Sequence, residues 1–189
     1  FESSTSRSGK SPDGTQVLTY LMPDTGFGPQ SMIPSESNVT LPSGKSLTMS
    51  YLRTKKVTNI SNPLDIEDWR EESDSNGRLY STEYHHSTRT LTSTSPMGRT
   101  STTTLDEAGR PVKLVAKGMP VVELTYDGDG RVTSIAKTAG GKTRVEVRGY
   151  GTDGWISSIT DPIGNLVAYD WDLVGRPETL TRPDKKTIT

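Results

Sequence analysis

Tyr126-Asp127-Gly128-Asp129-Gly130-Arg131-Val132-Thr133-Ser134-Ile135 is the stretch that decides the fold. An Asp at the first position of a four-residue turn accepts a hydrogen bond from the backbone two residues on, and a Gly at the fourth takes the left-handed conformation. A type I turn followed by a left-handed Gly closes a β-hairpin with a bulge. The β-branched residues that follow are strand formers.

The pattern recurs outward in both directions. Asp74, Gly77 and Arg78 repeat it, as do Asp106, Gly109 and Arg110, and Asp172, Gly175 and Arg176, where Trp171 holds the place of Tyr126. A second form has Pro at the second position, which presets φ: Ser11-Pro12-Asp13-Gly14, Leu41-Pro42-Ser43-Gly44, Ser95-Pro96-Met97-Gly98 and Asp161-Pro162-Ile163-Gly164. With the weaker Gly151-Thr152-Asp153-Gly154, the turns start at 11, 41, 74, 95, 106, 127, 151, 161 and 172. The gaps lie close to multiples of eleven, one strand plus one turn, the interval of all-β architectures.

Between turns the chain alternates as strands do. Arg144-Val145-Glu146-Val147-Arg148 is strict alternation, and Val167, Tyr169 and Trp171 share one face. The best helix candidate, Pro63 to Glu72, would make one or two turns. The expectation is an all-β chain, an antiparallel β-hairpin repeat array forming a curved, open sheet. Residues 1–73 form a β region with degenerate repeats, and residues 74–189 carry the repeat array proper.

Composition narrows the function classes. Hydrophobic residues make up 30% of the 189, but the net charge of −1 does not suit a disordered chain. Apolar side chains should line one face of a thin sheet, with Thr and Ser filling much of the other. Near-balanced charge excludes a field that would recruit nucleic acid, and no apolar stretch reaches membrane-span length. Without cysteine there is neither a disulfide nor a thiolate metal site.

The segment 126–135 resembles the YD repeat, Tyr-Asp-x-x-Gly-Arg followed by a β-branched strand. Trp171-Asp172-Leu173-Val174-Gly175-Arg176 is similar to it, and Leu105-Asp106 substitutes Leu for the aromatic. Tyr150 to Ile159 keeps the aromatic and Gly but has Trp155 for Arg. The family includes bacterial Rhs and wall-associated proteins, the B and C components of Tc toxins, and teneurins. The resemblance implies a segment of an Rhs/YD-type β-shell, a scaffold that encapsulates or presents a toxin or effector in a secreted or cell-surface protein, bacterial in origin. Its partners would be other repeats of the parent shell or an enclosed effector. Self-association through sheet edges is the further expectation. The alternative is an adhesion module that binds carbohydrate or a cell-surface protein. The chain stops within a repeat-like Arg182-Pro183-Asp184, and self-cleavage is not expected of it.

Repetition along a chain is what scaffolding requires, so the Asp-x-x-Gly-Arg residues are assigned structural work, Asp capping the turn and Arg pairing with carboxylates or aromatic faces. No catalytic residue, metal ligand or cofactor is expected, and the chain is not read as an enzyme. His85 and His86, adjacent on a strand, point to opposite faces. Asp65, Glu67, Asp68, Glu71 and Glu72 read as a solvated acidic turn. Trp155, Trp171 and Tyr150 are the candidates for stacking on a ligand.

Overall fold

The computed structural model describes residues 5–59, 61–62 and 64–188. Sixteen strands are present among them: β1 (Thr5–Lys10), β2 (Gln16–Asp24), β3 (Gly28–Thr40), β4 (Ser46–Val57), β5 (Ile66–Ser75), β6 (Arg78–His85), β7 (Thr90–Thr94) and β8 (Thr100–Leu105), then β9 (Pro111–Ala116), β10 (Val121–Tyr126), β11 (Val132–Ala139), β12 (Lys142–Tyr150), β13 (Ile156–Thr160), β14 (Leu166–Trp171), β15 (Pro177–Thr181) and β16 (Thr187–Ile188). The described residues contain no helix. Two compact units divide the chain, Phe1–Leu105 with β1–β8 and Asp106–Thr189 with β9–β16. Within each, the strands follow chain order as an antiparallel meander. Among the described residues β1 pairs only with β2 and is an edge strand of the first unit, and β16 pairs only with β15 and is an edge strand of the second.

The helix candidate is a strand. Ile66–Ser75 forms β5, while Pro63 lies outside the described residues. Of its carboxylates Asp65 alone stays in the exposed turn before β5, and the others are spread along the strand. Glu67 meets Lys56 at 2.9 Å, Asp68 meets His85 at 3.0 Å, Glu72 meets Arg70, and Glu71 pairs with Arg53. Cross-strand ion pairs stabilise β5 where an apolar alternation would otherwise mark a strand.

Few side chains are buried. Leu21 is the one buried hydrophobic residue among those described, with Asp24 and Ser37 beside it in that class. Strand pairing, not a thick core, holds these sheets. In the first unit β7 and β8 set Thr90, Thr92 and Thr94 directly opposite Thr104, Thr102 and Thr100, a hydroxyl-bearing face of the expected kind.

The second unit has an apolar face in which Leu124 lies across from Ile135, Ile159 from Val167, and Tyr169 from Leu180. β12 runs against this pattern. Its Glu146 and Arg148 stand on the apolar face opposite Ile135 and Ile159, while Val145 and Val147 face Ala136, Ser134 and Thr160. The register that produces this is set by a two-residue turn, Gly140-Gly141, between Ala139 and Lys142. Both glycines have positive φ, 55° and 72°, as the favoured hairpin turn requires.

Candidate functional site

The hairpin turns are built first from their own residues. In turns beginning at Ser11, Leu41, Ser95, Asp106, Asp127, Gly151, Asp161, Asp172 and Arg182, the first N–H donates to the fifth carbonyl. The fourth N–H donates back to the first. The two sequence forms thus close by one hydrogen-bond pattern. Lys185 occupies the left-handed position in the last of these turns, with φ 63°. The turn after Asp74 departs from the set: Ser75 pairs with Arg78, leaving a two-residue loop in which Asn76 and Gly77 both have positive φ. Asn-Gly overrides the Asp-x-x-Gly-Arg reading because it suits the mirror-image turn that matches strand twist. Asp74 still accepts from the Gly77 N–H at 2.8 Å. Arg78 is exposed and forms no ion pair with Asp74.

At Asp106, Asp127 and Asp172 the carboxylate is fully employed. Asp127 Oδ1 accepts from the N–H groups of Asp129 and Arg131 at 3.0 and 2.9 Å, and its Oδ2 accepts from Arg131 Nε at 2.7 Å. Asp106 with Arg110 and Asp172 with Arg176 repeat these contacts, each Nε at 2.7 Å. At Asp161, Asn165 Nδ2 donates at 2.8 Å in the place of the guanidinium. The fifth-residue N–H is the chief cause that holds all four carboxyl groups below the usual carboxylate range.

A second layer of contacts joins successive turns. In the second unit the turns at 106–110, 127–131, 151–155 and 172–176 emerge on one edge, because an even number of strands separates each from the next. Arg110 lies over the Tyr126 ring at 4.6 Å and Arg131 over Tyr150 at 4.8 Å. Trp155, standing where Arg would, meets Trp171 with ring centroids 5.6 Å apart. Each aromatic then reaches back to the carbonyl just after the cation or indole beneath it. Tyr126 Oη donates to Pro111 O at 2.7 Å, Tyr150 Oη to Val132 O at 2.8 Å, and Trp171 Nε1 to Ile156 O at 2.6 Å.

Glycine is required in this ladder for space as well as for φ. A Cβ on Gly175, where φ is +80°, would lie 2.6 Å from Trp155 Cζ2. Arg110 and Arg131 thus each pair with the Asp of their own turn and stack on the aromatic that precedes the following one. Tyr150, Trp155 and Trp171 all belong to the ladder, and Trp155 remains 46% exposed.

The first unit holds the most buried charge. The Asp24 carboxylate, 3% exposed, accepts from the N–H groups of Gly26 and Phe27 at 2.7 and 3.1 Å and from Arg53 Nη1 at 3.0 Å. Lys55 Nζ lies 3.6 Å away and 5.0 Å from the Phe27 ring centroid. Burial alone would raise this carboxyl, but its backbone donors, Arg53 and Lys55 more than reverse that and keep it below its usual range. Nothing in the sequence marked Asp24 as a buried charge, since its cationic partners, Arg53 and Lys55, come from a separate strand. His85 pairs with Asp68, while His86 sits edge-on to Tyr84 at 6.5 Å. Among the described residues no cluster of three or more His, Cys, Asp or Glu side chains is placed to hold a metal ion.

A hairpin array whose turns interlock while its faces stay thinly covered defines a β-repeat scaffold. The chain belongs to the teneurin YD-shell family, whose model matches residues 21–189. No curated protein matches it. Solved structures similar to the chain include the crystal structures of TcdB2-TccC3-TEV and of TcdB2-TccC3-Cdc42, each 13% identical, with TM-scores of 0.44 and 0.46. They cover 94% and 92% of this chain, which spans only 11% and 13% of theirs.

Proposed function

We propose that this chain is a length of shell wall in an exported or cell-surface protein, a scaffold that encloses or presents an effector and performs no reaction of its own. The observation that supports this reading best is the ladder from Arg110 to Trp171, in which each turn is satisfied internally and keyed to the next. Such a device specifies the order and register of strands without a thick core, so both faces are left to serve as wall. The turn carboxylates are spent on N–H donors and Arg, which suits structure better than proton transfer. Other repeats and an enclosed effector are the partners proposed, and the outer edges of β1 and β16 are where self-association would occur.

Electron cryomicroscopy of the full-length protein carrying this segment tests the proposal. The expected result places β1–β16 in a wall with density enclosed behind it. A segment standing apart as a separate domain, with no enclosed volume, overturns it.

The exposure of Trp155 favours a second reading, an adhesion surface in which Trp155, Trp171 and Tyr150 stack on a carbohydrate or a protein partner. A glycan array probed with the chain and with Trp155→Ala decides it; binding that is absent, or indifferent to the substitution, counts against it.

A further inference from the structure

Two turns in the unit Phe1–Leu105 break the Asp–Arg pairing that the other unit keeps. Arg78 and Arg99 are the fifth residues of their turns, the position from which Arg110, Arg131 and Arg176 bind the Asp of their own turn. The causes of the break differ. Asn76-Gly77 tightens the first turn, which pairs Arg78 with Ser75 and puts Asp74 opposite Leu79 on the other face. In the second, Ser95 stands in the place of Asp; its hydroxyl accepts the Arg99 N–H at 3.1 Å but brings no charge to hold the guanidinium. Nor is there a ring ahead of Arg78, since the residue before the following turn is Thr94. Neither guanidinium has an ion pair, hydrogen bond or ring contact among the described residues.

The two arginines meet at one cavity. β6 and β7 separate their turns, so both turns emerge on the same edge of the unit. A cavity of about 480 Å³ lies between them, lined also by Tyr80, Ser95, Pro96 and Met97. Arg78 and Tyr80 are two apart on β6 and share a face. The Tyr80 ring is 51% exposed and open to a ligand. No carboxylate lines the cavity, so it carries two uncompensated positive charges.

That charge selects an anion. Each guanidinium is a planar fork of donors matched to carboxylate or phosphate. A carboxylate would balance one of the two charges, whereas a phosphate monoester carries about −1.5 to −2 at pH 7 and balances both. Bare phosphate would leave Tyr80 and Met97 uncovered, but a flat ring on the ester would stack on Tyr80 as nucleobases stack on aromatic side chains. A phosphorylated peptide suits the place less well. The cavity lies on a sheet face where β6 and β7 are already paired on both sides, so a peptide backbone would find no ladder to join. The chain's net charge of −1 leaves the local field intact, because salt screens charges farther than about 8 Å away.

We infer that the cavity between Arg78 and Arg99 is a binding site for a nucleoside monophosphate, with the phosphate held by the two guanidinium groups and the base stacked on Tyr80. The site is independent of the shell reading and shares no residue with the adhesion reading.

Isothermal titration calorimetry on the full chain in low-salt buffer tests it, with AMP, adenosine, inorganic phosphate and O-phosphotyrosine as probes. AMP should bind about tenfold or more tightly than adenosine or phosphate. Arg78→Gln, Arg99→Gln and Tyr80→Ala should each weaken AMP binding about tenfold. Arg144→Gln, which removes an exposed charge from β12, should leave it unchanged. AMP affinity should also fall as pH drops through about 6, where the phosphate takes up its second proton. Far-UV circular dichroism checks that each variant keeps its sheet. Arg78 and Arg99 side chains support no contact of the fold, so their variants test the site even where Tyr80→Ala fails to fold. No binding of AMP overturns the inference, as does binding that survives both arginine substitutions. Phosphate bound as tightly as AMP, or an equal loss in Arg144→Gln, also overturns it. O-phosphotyrosine bound more tightly than AMP overturns it in favour of a phosphorylated protein.

Discussion

The tryptophan rung gives the sharpest test of the ladder. Trp171 makes three separable contacts: ring contacts with Trp155 at 5.6 Å and Tyr169 at 6.3 Å, and the Nε1–H bond to Ile156 O at 2.6 Å. An aromatic pair contributes about 0.5–1.5 kcal/mol beyond burial. A hydrogen bond contributes about 0.5–1.5 kcal/mol net. Trp171→Ala should thus destabilise the second unit by about 2–4 kcal/mol. Trp155→Ala, which loses one ring pair, should cost about 0.5–1.5 kcal/mol before lost burial is counted. The double variant should fall short of additivity by the energy of the shared pair, about 0.5–1.5 kcal/mol. Native-state hydrogen exchange at β14 and β15 amides reads this locally, and avoids a fluorescence signal that the substitutions themselves would change. Additive effects, or a Trp171→Ala effect under about 0.5 kcal/mol, would refute the claim that these rings join successive turns.

Gly175→Ala combines left-handed strain with a collision against Trp155, whereas Gly164→Ala (φ +90°) meets nothing within 4 Å. Both should lose about 1–2 kcal/mol from the backbone, and urea unfolding should show a further loss only for Gly175→Ala. Asp24→Ala should destabilise the first unit by about 2–4 kcal/mol by stranding two N–H groups and a guanidinium, with the earliest loss of exchange protection at Gly26 and Phe27. Lys185→Gly should relieve φ 63° and slow exchange in the last hairpin, by about 1 kcal/mol.

Acid should loosen the turns. Asp106, Asp127, Asp161 and Asp172 have folded pKa values below their unfolded ones. The stability they contribute is fully present above the unfolded value near ~3.9 and is lost as pH falls through the folded values. Melting followed by circular dichroism should be level above about pH 5 and fall below about pH 4. Asp127→Asn should flatten that fall, and a loss that begins near neutrality would contradict the assignment.

The turns were legible because their physics is local. Asp127, Gly130 and Arg131 settle their hydrogen bonds within five residues, so the pattern could be read wherever it recurred, and so could the all-β class that follows from it. Even Asp74 was legible in kind but not in phase, since Asn76-Gly77 competes with it over the same few residues. β5 was missed as a strand for the opposite reason. Its stabilising partners are Lys56, Arg53 and His85 on neighbouring strands, and within its own sequence the charges show no period.

What the chain wrote in plain sight, then, was where it turns, that it pairs antiparallel with its neighbours, and which family it resembles. Tertiary structure decided which turns share an edge, that Arg110 meets Tyr126 and Trp155 meets Trp171, which face β12 gives its valines, and that Asp24 is buried beneath Arg53. Each of these depends on register, and a slip of one residue moves every side chain of a strand to the other face. A turn is closed by its own atoms, but a rung needs two hairpins to arrive at the same height, and that coincidence exists only once the strands between them have paired.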